Sequence, residues 1–504
     1  MLFNSYIYLL IFLPLSLLGF ALFAKVNLRA GFIWLVMTSL VFYGWWNPDP
    51  THSWTPFYII LILLSCAGNY LLGRAIAAKT GKRQGKVILI AGITANLLLL
   101  GYYKYSGFIA GIFLHLTGCS ANVPQIVLPL AISFFTFLQI AYLVDAFRGK
   151  VDENHHFTDY LLFVTFFPHL IAGPLVHHKE MIPQFTKRRE KVLRYRDLSI
   201  GLTILIIGLF KKVVVADPLS AIATPLFDAS AAGRPLGMAE GWVAILSYTL
   251  QLYFDFSGYS DMAIGSARLF GIRFPLNFHS PYKATSIVDF WRRWHMTLSR
   301  FLRDYLYFPL GGNRKGSARR YVNLMLTMII GGLWHGAGWT FLAWGFIHGA
   351  LLCCNHAWFS LRDRWRLRPL PRVPAIGLTF LAVALAWVFF RAPTFGAAVS
   401  ILKSAFGLGS SIGWPEDGRQ IVEASDAFLP LAGGLIIAWC FPNTQQFLSR
   451  YRPALGLRDF EAEAGGRKWW QWRPDARFAI LTLLLAYLTA REFDKISEFI
   501  YFQF

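Results

Sequence analysis

A dozen apolar runs, most about as long as a bilayer is thick, constrain this chain more than any other feature. A helix needs about 20 apolar residues to cross the hydrocarbon core. In lipid every backbone polar group must be satisfied internally, which leaves helices or closed barrels. Runs of this template fall at 5–24, 30–46, 56–75, 86–104, 125–146, 198–216, 240–256, 321–335, 338–354, 374–391, 428–446 and 477–490. Runs of this length are read as spanning helices, so the expected class is an all-α polytopic membrane protein. The composition agrees: of 504 residues 56% are hydrophobic and only 15% charged, with mean hydropathy +0.46.

The net charge of +21 suggests nucleic acid at first sight, but no recognition fold accompanies it. Lys and Arg collect instead in short loops: Lys25/Arg29, Lys79–Lys86, Lys187–Arg196, Arg314–Arg320, Arg362–Arg372 and Arg450–Arg477. Such loops remain cytoplasmic and face anionic lipid. Loops 47–55, 105–124 and 217–239 are nearly free of them. The alternation closes with both termini outside if segment 159–176 enters and leaves on the cytoplasmic side. That segment carries Pro168 and ends at Gly173–Pro174, as a re-entrant element would, its backbone satisfied by protein or water. The first basic residue, Lys25, comes after a long apolar run, so a retained first span is expected rather than a cleaved signal.

One integral domain over 1–504 is expected, with loop 392–427 as a small exterior cap. The five cysteines are scattered through mostly apolar runs without a CxxC, which reads as buried thiols. Of twelve histidines, His155–His156 and His177–His178 are adjacent pairs in hydrophilic loops. There is no HExxH, so surface histidines and no metal site are expected.

His335 stands apart. It lies in a stretch, 321–352, that holds no Asp, Glu, Lys or Arg. Ionisable groups at membrane depth tend to be functional, and a neutral imidazole is what a general base requires. Gly331, Gly332, Gly336 and Gly338 leave room around it. For His348, thirteen residues on, packing and catalysis remain equally open.

The least membrane-like region is 254–320. Ser286 and Asp289 have the form of a capping box, after which apolar residues recur at helical spacing. Arg292, Arg293, His295, Arg300 and Arg303 lie among them, giving an amphipathic interfacial helix over 286–309. It is either a surface helix anchored by tryptophan or a roof over a buried entrance, its cations facing a phosphate-bearing donor. Asp255, Ser257, Tyr259 and Asp261 are either a helix end or the polar wall of a cavity. Arg273, Asn277 and His279 lie in a Pro-flanked loop that is structural or lines a pocket. No GxSxG, Walker A or GxGxxG occurs, so covalent serine catalysis and nucleotide hydrolysis have little support.

An ordered series of blocks resembles one family. It begins with Phe3-Asn4-Ser5 and Tyr103-Lys104-Tyr105, then SFFTF at 133–137 with Tyr142 and Asp145, and FPHLIAGP at 167–174. GLFKK at 208–212, FDFSGYSD at 254–261, DFWRRWH at 289–295 and GLWHG at 332–336 complete it. The family is the membrane-bound O-acyltransferases, in the bacterial branch of alginate O-acetylation and D-alanyl transfer to teichoic acid. The resemblance implies a ring of tilted helices around a central funnel or tunnel. It places the family's essential histidine on His335 and a second, nearby histidine on His295.

The activity that the resemblance implies is that of an O-acetyltransferase in a bacterial inner membrane. A cytoplasmic thioester, acetyl-CoA or the phosphopantetheine of an acyl carrier protein, would be the donor; no tightly bound cofactor is implied. The acceptor would be a hydroxyl of an exported polysaccharide, or a periplasmic O-acetyltransferase-type partner. His335 would take the hydroxyl proton, and His295 would orient that ring or stabilise the oxyanion. Arg292, Arg293 and Lys283 are candidates for the donor's phosphates, and Asp255 and Tyr259 for the tunnel wall. D-alanyl or other acyl transfer, and a non-catalytic transporter or scaffold subunit, are the alternatives.

Overall fold

The computed structural model describes residues 1–46, 57–119, 123, 126–151, 155–171, 173–186, 194–409, 421–460 and 468–493. Among these residues the regular elements are helices joined by loops, and a lone bridge, Pro275 to Leu455, is the one β feature. Five helical stretches are long and apolar enough to cross a membrane: Ile7–Val26, Tyr58–Ala77, Arg83–Thr117, Tyr195–Ala231 and Arg372–Arg391. Shorter apolar helices cover Leu28–Gly44, Ile132–Phe147, Phe395–Ala405 and Ser425–Cys440. Leu10, Leu64 and Leu98 point outward and are more than two-thirds exposed, the signature of a face that lipid rather than water covers. This is an all-α polytopic membrane protein. Expected loop 47–55, parts of 105–124 and 187–196, and the centre of 392–427 lie outside the described residues.

The chain divides into two compact units. The first comprises Met1–Leu205, Met262–Pro275 and Tyr451–Arg458. Its helices begin with α1 (Leu13–Val26), α2 (Leu28–Gly44), α3 (Phe57–Ala77), α4 (Arg83–Leu100), α5 (Ser106–Thr117) and α6 (Ile132–Phe147). After these come α7 (Phe157–Thr165), α8 (Phe167–Leu170) and α9 (His178–Thr186). The Pro168 segment breaks as its sequence requires. Phe166 leaves helical backbone at ψ 113°, and Pro168 sits in the first turn of α8, where its missing N–H costs nothing. Phe167 is buried against Phe12, Phe42 and Phe270, centroids 5.1, 5.6 and 5.9 Å away. Between α3, α4 and α6 a buried amide set is mutually satisfied. Asn69 donates to Gln139 at 2.7 Å, and Asn96 donates to Asn69 at 2.7 Å, the kind of polar link that joins helices in lipid.

The second unit comprises Ile206–Asp261, Leu276–Arg450 and Asp459–Phe504. In chain order the remaining helices are α10 (Tyr195–Phe210), α11 (Asp217–Ala231), α12 (Met238–Leu269), α13 (Ile287–Arg293) and α14 (Met296–Leu302). Next come α15 (Gly316–His335), α16 (Trp339–Trp365), α17 (Arg372–Arg391) and α18 (Phe395–Ala405). The last are α19 (Ala424–Cys440), α20 (Thr444–Phe447) and α21 (Ala476–Arg491).

Four expectations are corrected. The apolar run 240–256 does not end at its polar residues: α12 spans 32 residues in all, Met238–Leu269, so Asp255 to Asp261 lie inside a helix. The single interfacial helix over 286–309 is instead two seven-residue helices and then a π-helical turn. His155 and His178 are buried rather than on the surface. Cys66 is buried as expected, while Cys119, Cys354 and Cys440 are exposed.

Candidate active site

Within the second unit, α15 and α16 form a tight hairpin. A side chain on Gly332 would strike the Phe341 carbonyl, and one on Gly345 would strike the Met328 carbonyl. Glycine at both positions therefore sets how close the two backbones run. Gly336 turns extended and ends α15 one residue after His335. The hairpin leaves His335 6% exposed, ringed by Trp334, Trp344 and Phe390 at centroid distances of 4.9, 5.3 and 5.2 Å.

His295 approaches from the break between α13 and α14. Trp294 closes α13, and His295 takes the left-handed backbone at φ 41°. A non-glycine residue there costs on the order of 1–3 kcal/mol, which persists only where the surroundings hold it. Asn277 is that surrounding. Its carbonyl accepts from the Met296 N–H at 2.9 Å, and its Oδ1 accepts from the Thr297 hydroxyl at 2.8 Å. The same Oδ1 lies 3.1 Å from His295 Nδ1, while Asn277 Nδ2 donates to Ser260 at 3.0 Å. Oδ1 is acceptor-only, so Nδ1 of His295 carries the proton. Its Nε2 is buried and has no hydrogen-bond partner among the described residues. The His295 and His335 rings are 6.5 Å apart, centre to centre.

His348 is fully buried one face further along α16. Trp344 lies between the two histidines, 5.3 Å from His335 and 4.9 Å from His348. Trp291 and Trp387 complete its surroundings at 5.1 and 5.8 Å.

The other candidates are placed differently. Arg293 is held by Asp289 at 2.8 Å and lies over the Phe460 ring at 5.7 Å; Arg292 is exposed. Lys283 donates to the Phe441 carbonyl at 2.6 Å. Asp255 is 1% exposed and ion-paired to Lys212 at 2.9 Å, and Lys212 also meets Asp217 at 2.8 Å. Tyr259 is buried with the Lys212 ammonium 5.8 Å from its ring centre. A π-helical turn over Lys211–Ala216 lets consecutive lysines both reach carboxylates, Lys211 meeting Asp261 at 2.6 Å. In the first unit, Asp145, His177 and His178 present three ligand-type atoms within 4.8 Å of one another. The Lys179 ammonium stands 3.3 Å from the shared Asp145 oxygen and takes the place a cation would fill.

The sequence leaves Asn277 open between a structural and a pocket-lining role, and no local signal ties it to His295. The GLFKK block holds Lys212 in plain view, but nothing local ties that lysine to Asp255.

The profile of the MBOAT, membrane-bound O-acyltransferase family, matches residues 148–392, an interval that holds both histidines. The chain is similar to the peptidoglycan O-acetyltransferase of Helicobacter pylori, 43% identical across 81% of this chain and 80% of that protein. It is similar over the full length of both chains, at 35% identity, to the probable alginate O-acetylase AlgI of Pseudomonas putida. Similarity to the teichoic acid D-alanyltransferase of Bacillus subtilis is 27% over 53% of this chain and 69% of that one. A multi-pass helical protein with paired buried imidazoles, related end to end to such enzymes, belongs to the membrane-bound O-acyltransferase family and is an O-acyltransferase.

Proposed function

We propose that the protein is an O-acetyltransferase of the bacterial inner membrane. It takes acetyl from a cytoplasmic thioester, acetyl-CoA or a carrier-protein phosphopantetheine, and delivers it to a hydroxyl of an exported glycan or of a periplasmic partner. Relatives named for peptidoglycan and alginate O-acetylation support acetyl as the group and an envelope glycan as its destination. The observation that carries the reading is the His295–His335 pair, two buried imidazoles 6.5 Å apart within an aromatic wall.

In the reaction the acceptor oxygen attacks the thioester carbonyl carbon as an imidazole takes the hydroxyl proton. The tetrahedral oxyanion collapses, the C–S bond breaks, and the thiolate recovers the proton from the imidazolium. Trp334, Trp344 and Phe390 surround His335, and Phe256 and Phe278 flank His295, so charge developing near either buried ring is poorly screened and strongly felt. His335 is the expected base. The Asn277 contact favours a second assignment, because it leaves His295 Nε2 as a proton acceptor; His295 could stabilise an oxyanion only once protonated. Holding the acceptor hydroxyl and the thioester carbonyl together beside this imidazole pair supplies the proximity that the reaction needs.

The test compares O-acetyl content of surface glycans in cells making wild type, His335→Ala and His295→Ala at matched membrane levels. Loss of acetyl in either folded variant supports transfer through that imidazole. Unchanged acetylation in both removes the pair from the chemistry and favours a transporter or scaffold.

A further inference from the structure

We propose that the first unit holds a separate pocket for a phosphate-bearing anion, built where α9, the start of α10 and the end of α12 converge. The inference stands independently of the acyl-transfer reading. The cavity measures about 490 Å³, within the roughly 300–1,000 Å³ usual for small-molecule sites. Five cationic side chains line it, Lys179, Arg194, Arg196, Arg268 and Arg273, against two carboxylates, Glu180 and Asp197.

The two carboxylates are already engaged. Asp197 is paired with the buried Arg268 at 2.6 Å, and Glu180 accepts from the His177 N–H at 3.1 Å. Among the described residues, neither Arg196 nor Arg273 meets an acidic partner. The wall that carries Arg273 is rigid. Gly271 ends α12 in the left-handed conformation at φ 70°, and Gln184 clamps the Arg273 backbone from both sides. Its Oε1 accepts from Arg273 N–H at 2.9 Å and its Nε2 donates to the Arg273 carbonyl at 3.0 Å. Leu455 closes the adjoining edge, its N–H bonded to the Phe274 carbonyl at 2.8 Å.

A preformed concavity with surplus guanidinium charge matches the planar, multidentate recognition of phosphate. Arg194 and Arg196 belong to a basic stretch of the sequence that by its charge is expected at the cytoplasmic face. Two sources present the same chemistry there: a soluble phosphorylated molecule, or the headgroup of an anionic phospholipid in the inner leaflet.

The experiment uses the full chain purified in a zwitterionic detergent, with two probes. Adenosine 3′,5′-bisphosphate is titrated by calorimetry, and phosphatidylglycerol is compared with phosphatidylcholine by native mass spectrometry. The Arg196→Ala/Arg273→Ala variant should lose affinity by roughly tenfold for each guanidinium removed, with Tm unchanged. Arg196→Gln, at an exposed position outside the Gln184 clamp, carries the same test should the double variant fail to fold. Saturable nucleotide binding that the variants lose assigns a soluble ligand. Selective retention of phosphatidylglycerol that they lose assigns a lipid headgroup. Absence of binding by both probes, or equal binding by wild type and variants, overturns the proposal.

Discussion

Asn277 Oδ1 accepts a hydrogen bond from the His295 Nδ1–H at 3.1 Å, and this one contact decides which imidazole nitrogen faces the site. Replacing Asn277 by Ala removes it together with the Thr297 bond and frees the tautomer. Acyl transfer should fall at least roughly tenfold, the worth of one such bond at a buried site. Asn277→Asp keeps an acceptor but places a carboxylate beside the ring, favouring imidazolium. Its rate–pH profile should therefore move to higher pH relative to wild type. A profile that does not move, measured in membranes with a defined thioester, would show that Asn277 serves the fold alone.

In the proposed reaction His295 and His335, 6.5 Å apart, act as one unit rather than as two independent contributors. Each Ala substitution should lower the rate by roughly 10²–10⁴-fold, the range of general acid–base groups. The double variant should be no worse than the poorer single one, because members of a unit are grossly non-additive. Multiplicative losses in single-turnover assays would separate their roles.

Lys212 is 3% exposed between Asp255 and Asp217. Lys212→Ala takes the ammonium away from buried Asp255 and half-buried Asp217, and breaking a buried pair in this way costs about 3–5 kcal/mol. Membrane levels and thermal stability should collapse. Lys212→Ala combined with Asp255→Asn and Asp217→Asn, which removes the stranded charges, should recover much of the loss. Thermal unfolding monitored by fluorescence size exclusion distinguishes the two; a stable single variant would contradict a structural role for the triad.

Helices are legible where lipid dictates them, since a bilayer-length apolar run has few other options. His335 is legible for the same reason, a titratable ring in a run with no other charge. The features that escape have non-local causes. The polar run Asp255–Asp261 reads as a helix end or a cavity wall, yet α12 carries it through, Lys212 and Lys211, more than forty residues upstream, neutralising its carboxylates. The break at His295 has no glycine or proline to announce it; the Asn277 clamp, eighteen residues away, imposes it. His295 itself enters through family resemblance and not through periodicity, which places it on a continuous amphipathic helix. Adjacent histidines in a hydrophilic stretch carry no pattern that reports burial, so His155 and His178 read as surface residues.

His178 supplies a pH test of that burial. Desolvation pushes its pKa down to about 4, against the smaller opposing pull of the Asp145 carboxylate. The ring is thus neutral in the folded protein, while an unfolded chain binds its proton near pH 6.5. Stability from this residue is complete above about pH 6.5 and is lost as pH falls toward 4. The slope is about 1.4 kcal/mol for each pH unit in that window. His178→Gln cannot titrate, so its Tm should fall less steeply than wild type between pH 7 and pH 4.5. Melting curves of both proteins in one detergent decide it: parallel slopes would mean that His178 is protonated, and solvated, in the folded state.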